Sequence, residues 1–348
     1  MLLQRSAGHS LDVTVPTCYP GAGWGFNRYS HVLDASTHAS RIRNLVICQD
    51  GDRNDLKRLV RIFSMPAPNL THLDLITSRR HDGNAQFPNW FGLDFPKLRV
   101  LELSGIEVWS EVVGANLTRI TINYSLNPAS LKRCISYSPN LEALVIHCVR
   151  DFDDPDLSTW QRIALPAGIS LSIEHSDACP RILALFSLPG DGHVKVKPFA
   201  RSLHNISLLS YIPTDLSHLQ NLRALTRLHL KTRFDGWVAL ELRFFRLNQV
   251  AFEINIEFSF DDQRMAQQMT SPAMWFLRDL HRVVLREVEE LFMEGFVGAL
   301  EPRAAELLTL LREMPGLTRL ITNDGNEEAL RSALDGLGYQ NVVVSAEG

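Results

Sequence analysis

Cysteine is scarce in this chain of 348 residues: Cys18, Cys48, Cys134, Cys148 and Cys179 are odd in number, scattered, and never spaced as CxxC. That excludes a disulfide framework and the common zinc and dithiol motifs, and makes a reducing compartment the expectation. Charge of one sign is lacking too. Lys+Arg of 35 against Asp+Glu of 39 leaves −4, so no whole-molecule field draws the chain to nucleic acid or an anionic membrane, and neither is an expected partner. Nowhere do 18 apolar residues run uninterrupted, and the opening MLLQRSAGHSLDVTV has no basic stretch leading into a long apolar one. The expectation is a soluble protein of the cytoplasm or nucleus. With 45% hydrophobic and 21% charged residues, a large core is affordable and disorder over most of the length is excluded.

What is abundant is a short apolar pattern, with apolar residues at positions 1, 4 and 6 of a hexapeptide. The cleanest copies are LTHLDL from Leu70, LRVLEL from Leu98, LTRITI from Leu117, LEALVI from Leu141 and LTRLHL from Leu225. Looser copies begin at Ile42, Leu203, Leu280 and Leu317. The starts at 42, 70, 98, 117 and 141 lie 28, 28, 19 and 24 residues apart, within or just below the leucine-rich-repeat range of about 20 to 29. In an extended segment positions 4 and 6 share one side, and 3, 5 and 7 the other. One such strand cannot bury its apolar side alone, so copies stack as parallel strands returned by crossovers.

The expected fold is therefore α/β: a leucine-rich-repeat solenoid with a parallel sheet on the concave face and helices or irregular crossovers on the convex face. It reads as one array over 1–348, regular over 1–150, irregular or hinge-like over 151–200, and degenerate with a C-terminal cap over 201–348. Helices are expected over Asn54 to Met65 and over Pro128 to Tyr137, the second capped by Asn127 with Leu131, Cys134 and Ile135 facing inward. PAPNL, FPKL and SPNL put proline, and often asparagine, just before a strand. Further on, a degenerate repeat is expected at LNQVAF near Leu247, EINIEFSF as a strand, a helix from Glu301 through Glu313, and a closing helix from Asn326 to Leu337 before the strand NVVV.

The succession LLQRSAGHSLDVTV, HASRIRNLVI, PAPNLTHLDL, FPKLRVLEL, NLTRITI and SPNLEALVI resembles fungal, especially basidiomycete, F-box and leucine-rich-repeat proteins. The likeness covers Met1 to about Val149 and is diffuse beyond, where MPGLTRLIT is similar to the family's closing repeat. The resemblance implies the substrate-binding part of a ubiquitin-ligase receptor. The F-box that would dock the ligase adaptor is missing from this chain, so an adaptor is an expected partner only if that module lies upstream, and no F-box residue is carried over.

Sites of chemistry are thin. Gly21, Gly23 and Gly25 follow a strand-like LDVTV, but neither GxGxxG nor GK[ST] is present, so they read as a turn. Asp151, Asp153, Asp154 and Asp156 lack the central glycine and terminal glutamate of a calcium loop and read as solvated. His175, Asp177 and Cys179 alternate, which on an extended segment sets three donors on one side, with no fourth candidate near. GxSxG and HExxH do not occur. No catalytic residue, metal or cofactor is expected. Asn69, Asn116, Asn123 and Asn205 begin Asn-x-Ser/Thr triplets that read as structural.

Function is expected on the strand positions released from the core. Stacking gives three rows: Asn44, His72, Val100, Arg119, Ala143; then Val46, Asp74, Glu102, Thr121, Val145; then Cys48, Ile76, Ser104, Asn123, His147. The later strands contribute Arg227, His229 and Lys231, Arg282 and Arg286, and Arg319, a basic patch suited to an acidic or phosphorylated protein segment. Candidate partner-binding residues are His72, Asp74, Glu102, Arg119, Asn123, His147, Arg227, His229, Lys231, Arg282, Arg286 and Arg319. The reading is a non-catalytic protein-recognition module. A free-standing scaffold without a ligase link, and more remotely a hydrolase on a repeat-like α/β frame, are the alternatives.

Overall fold

The computed structural model describes residues 9–15, 40–49, 67–77, 95–104, 116–152, 160–176, 178–198, 211–234, 237–259, 280, 283, 285–295, 309–322, 327–336 and 338–346. The chain is α/β, with a large, mostly parallel sheet and, among the described residues, few helices. It divides into two compact units, Met1–Pro155 and Asp156–Gly348.

In the first unit six strands lie side by side in chain order: β1 (Leu11–Val15), β2 (Ile42–Gln49), β3 (His72–Thr77), β4 (Val100–Ser104), β5 (Arg119–Leu126) and β6 (Ala143–Phe152). All five pairings are parallel. Leu45, Leu73, Leu101, Ile120 and Leu144 face one another in register, at most 4% exposed. Ile47, Leu75, Leu103, Ile122 and Ile146 form a second buried row. Burying a leucine side chain this completely is worth about 1.5–3 kcal/mol, so each row holds its neighbours in place.

Three local devices explain why the strands start where they do. β3, β4 and β6 are entered by a turn in which the position-1 amide donates to the carbonyl three residues earlier: Leu70 to Ala67, Leu98 to Phe95, Leu141 to Ser138. Pro68, Pro96 and Pro139 occupy the second turn position, where the ring pre-sets the required φ. The asparagine before the first leucine then ties one repeat to the last: Asn69 Nδ2 donates to the Ser40 carbonyl (2.6 Å) and Asn116 Nδ2 to that of Pro96 (2.7 Å). Threonine at position 2 adds a rung, Thr71 Oγ1 donating to the Arg43 carbonyl (3.1 Å) and Thr118 Oγ1 to that of Arg99 (3.4 Å). The crossover from β5 to β6 holds helix α1 (Pro128–Ser136), capped by Asn127 Oδ1 accepting from the Ser130 amide (3.1 Å), with Leu131, Cys134 and Ile135 buried as the spacing predicts. The first helix expected, over 54–65, lies outside the described residues.

In the second unit eight strands lie side by side in the order β8 (Ser170–Glu174), β10 (His193–Lys197), β13 (Gln249–Ser259), β12 (Trp237–Arg246), β11 (Arg227–Phe234), β14 (Glu290–Glu294), β15 (Arg319–Thr322), β16 (Val343–Ala346). A small pair, β7 (Ile163–Ala164) and β9 (Phe186–Ser187), stands apart from it. The unit also holds short helices α2 (Cys179–Ala184) and α3 (Glu327–Gly336) and a 3-10 turn at Gln220–Leu222, with 309–312 also helical. α3 and β16 match the expected closing helix and strand to within one or two residues at each end.

Three expectations are corrected here. GISLSI and HVKVK are parallel strands of the sheet, β8 and β10, joined through α2, so much of 151–200 is regular. LNQVAF is no repeat: Leu247 and Asn248 form the two-residue turn of the antiparallel hairpin β12–β13, because alternation persists on both sides and outweighs the hexapeptide pattern. The strand expected from Leu280 falls instead at β14, where Val288, Leu291 and Met293 carry the 1-4-6 pattern and Val288 receives the entry turn from Leu285. Thr318 Oγ1 donates to the Glu289 carbonyl (3.1 Å), repeating the position-2 rung of the first unit.

Candidate functional site

The three rows read from the sequence are in register on the first unit's sheet. Asn44, His72, Val100, Arg119 and Ala143 are successive partners, as are Val46, Asp74, Glu102, Thr121 and Val145, and Cys48, Ile76, Ser104, Asn123 and His147. β1 extends the first two rows by Asp12 and Thr14, which the sequence reading missed because LDVTV lacks the position-1 leucine.

Charge on this face is unevenly satisfied. Asn44 Nδ2 donates to Asp12 Oδ1 (2.7 Å), and Asn123 Nδ2 to Ser104 Oγ (2.7 Å). Asp74 and Glu102, side by side in the middle row, have no cationic partner among the described residues. Burial, and then the Glu102 charge, push the Asp74 carboxyl up to about 6 against a smaller opposing pull from His72. Next in the same row the Thr121 hydroxyl is buried without a hydrogen-bond partner. Arg119 is exposed and unpaired among the described residues.

Beside Asn123, Tyr124 is 47% exposed and holds φ at 74°, a left-handed conformation that a bulky side chain adopts only under constraint. Plain alternation sends position 8 to the core. The register shift between Asn123 and Ser125 turns it outward, and no sequence signal marks that shift.

In the second unit the expected basic patch is not formed as drawn. Arg227, His229, Lys231 and Arg319 lie on strands, but each charged one has an acidic neighbour that the misplaced β14 had hidden. Glu290 sits between Arg227 (3.7 Å) and Arg319 (3.4 Å), and Glu294 pairs with Lys231. Arg227 Nη2 also donates to Asn248 Oδ1 (2.6 Å). His229 packs between Phe245 and Phe292, with ring centroids 4.4 and 5.0 Å away. Arg286 occupies the exposed entry turn of β14 rather than a strand, and Arg282 lies outside the described residues. Further along, Arg243 pairs with Glu241 and lies 3.7 Å from Glu253. The surface is a lattice of alternating charge.

Neither metal nor triad chemistry assembles from the sequence candidates. His175 has φ 51° and Cys179 opens α2 with Sγ donating to the Ser176 carbonyl (3.0 Å), so the segment is not extended and its donors are not aligned; Asp177 lies outside the described residues. So do Gly21, Gly23, Gly25, Asp153, Asp154, Asp156 and Asn205, while Asp151 falls within β6. Ser170 Oγ stands 3.4 Å from His193 Nδ1, the contact among the described residues that bears on the hydrolase alternative. His193 Nε2 has no hydrogen-bond partner among the described residues, so none of their carboxylates orients the ring through it, and burial lowers its affinity for a proton. Cys134 is buried as expected, its thiol pushed up to about 12 by burial. No protein-family model and no curated protein matches the chain.

Proposed function

We propose that the protein is a non-catalytic recognition module of leucine-rich-repeat type that binds a protein partner on the exposed sheet face of its first unit. Support for the repeat reading comes from recurring entry turns, the asparagine ties and the threonine rungs, which give successive strands the same registered start. The observation that carries the functional reading is the pair Asp74 and Glu102, adjacent on that face without a cationic partner among the described residues and with the Asp74 carboxyl raised to about 6. An uncompensated acid pair costs stability in the free protein, and a cationic side chain from a partner would relieve it. The partner chemistry favoured is thus a segment bearing Lys or Arg, in place of the acidic segment first expected for the second unit. Thr121, next to Glu102 in the same row, adds an open hydrogen-bonding group, and Tyr124 adds an exposed aromatic side chain on the neighbouring strand β5.

Kinship with substrate receptors of F-box ubiquitin ligases, resting on the sequence resemblance, is part of the proposal. Co-purification of the chain with the ligase adaptor supports that link, and its absence favours a free-standing scaffold. The face itself is tested by titrating an oligoarginine peptide: the parent binds, and Asp74→Asn with Glu102→Gln weakens binding about tenfold or more. Equal binding by parent and double variant discards the reading.

A further inference from the structure

At the strand-entry edge of the first unit, away from the Asp74 face, lies a cleft of about 440 Å³ lined by His9, Ser10, Arg41, Arg43, Asn69, Thr71 and Lys97. Among the described residues its charged side chains are all basic, in a chain whose net charge is −4. We infer that this cleft binds a phosphoryl group carried by a small molecule.

The cations are held in place by the repeat's own devices. Lys97 Nζ donates to Asn69 Oδ1 (2.7 Å), while Asn69 Nδ2 is fixed to the Ser40 carbonyl (2.6 Å). Arg41 Nε and Nη2 both donate to the His9 carbonyl (3.0 and 2.9 Å), which draws the 9–10 segment onto the edge of β2. Arg43 and Lys97 are exposed, and neither has a carboxylate partner among the described residues. Asn69 and Thr71 are absorbed by the fold, so recognition falls to the guanidinium, the ammonium and the Ser10 hydroxyl.

This set suits a tetrahedral dianion. A guanidinium offers paired donors to two phosphoryl oxygens, and an ammonium adds a compact charge. The volume lies in the range of small-ligand pockets. A nucleic-acid strand fits poorly, because among the described residues no Phe, Tyr or Trp lines the cleft for base stacking.

The test is calorimetric titration of the whole chain with phenyl phosphate, inorganic phosphate and benzoate at low and high salt. Both phosphates should bind, benzoate about tenfold more weakly or not at all, and affinity should fall with salt. Arg43→Gln and Lys97→Gln should each weaken phenyl phosphate about tenfold, with Arg43→Lys intermediate and circular-dichroism melts unchanged. Tighter binding of phenyl phosphate than of inorganic phosphate supports the organic carrier; equal binding of the two overturns it in favour of the free ion. Absence of phosphate binding at low salt, benzoate binding as well as phosphate, or variants that bind like the parent would overturn the assignment.

Discussion

Asp74 and Glu102 face each other across the β3–β4 pair on the exposed side of the sheet, directly behind Leu73 and Leu101, which face each other in the core. One register thus fixes both a buried apolar pair and an uncompensated acidic one. The strand that packs the repeat also presents the charge.

A pH dependence follows from that acid pair. Burial and Glu102 raise the Asp74 carboxyl from 3.8 to about 6 in the fold, so the folded state binds the extra proton and stability falls as pH rises across that interval. Asp74→Asn should remove this loss and stabilise the protein at neutral pH by about 1 kcal/mol, a value reduced for solvent contact at a half-buried site. Urea unfolding from about pH 4 to 7 measures it; a variant no more stable than the parent at neutral pH contradicts the burial argument.

The core behind the face is less forgiving. Leu73→Asp or Leu101→Asp sets a carboxylate where the parent side chain is 0% exposed and should cost several kcal/mol, opening the first unit to protease. Limited proteolysis with mass mapping reads the outcome, and cleavage confined to the second unit would run against it.

The α1 cap gives a smaller, separable effect. Asn127→Ala removes the acceptor of the Ser130 amide and should cost about 1 kcal/mol, while Asn127→Asp should restore most of it. Chemical denaturation at constant m-value distinguishes the two.

At the β12–β13 turn, Leu247 is 72% exposed with φ 54°. Glycine adopts that region without the penalty a Cβ incurs, so Leu247→Gly should stabilise by about 1 kcal/mol despite loss of a large side chain. A lower melting temperature for the variant would show that the leucine contributes through contact.

Much of the first unit is legible in the sequence because period and burial agree there: Leu70, Leu98, Leu117 and Leu141 mark the strand starts, and the three outward rows follow by counting. Asn127 and Pro128 announce α1 for the same reason. Legibility fails where two patterns compete. From Leu280 the residues LHRVVL imitate the hexapeptide, yet Val288, Leu291 and Met293 form the strand, and displacing it hid Glu290 and Glu294, which neutralise Arg227, Lys231 and Arg319. Tyr124 depends on a local register shift, and the basic cleft on bonds between turns 28 or more residues apart, such as Lys97 to Asn69 and Asn69 to Ser40. Neither leaves a periodic trace.

The central claim is tested most directly by reversing the acidic pair. Asp74→Lys with Glu102→Lys should abolish capture of an oligoarginine peptide and create capture of an oligoglutamate peptide, with backbone amide shifts on titration confined to β2–β6. Unchanged peptide preference after the reversal, or shifts centred on the second unit, would contradict a recognition face built on Asp74 and Glu102.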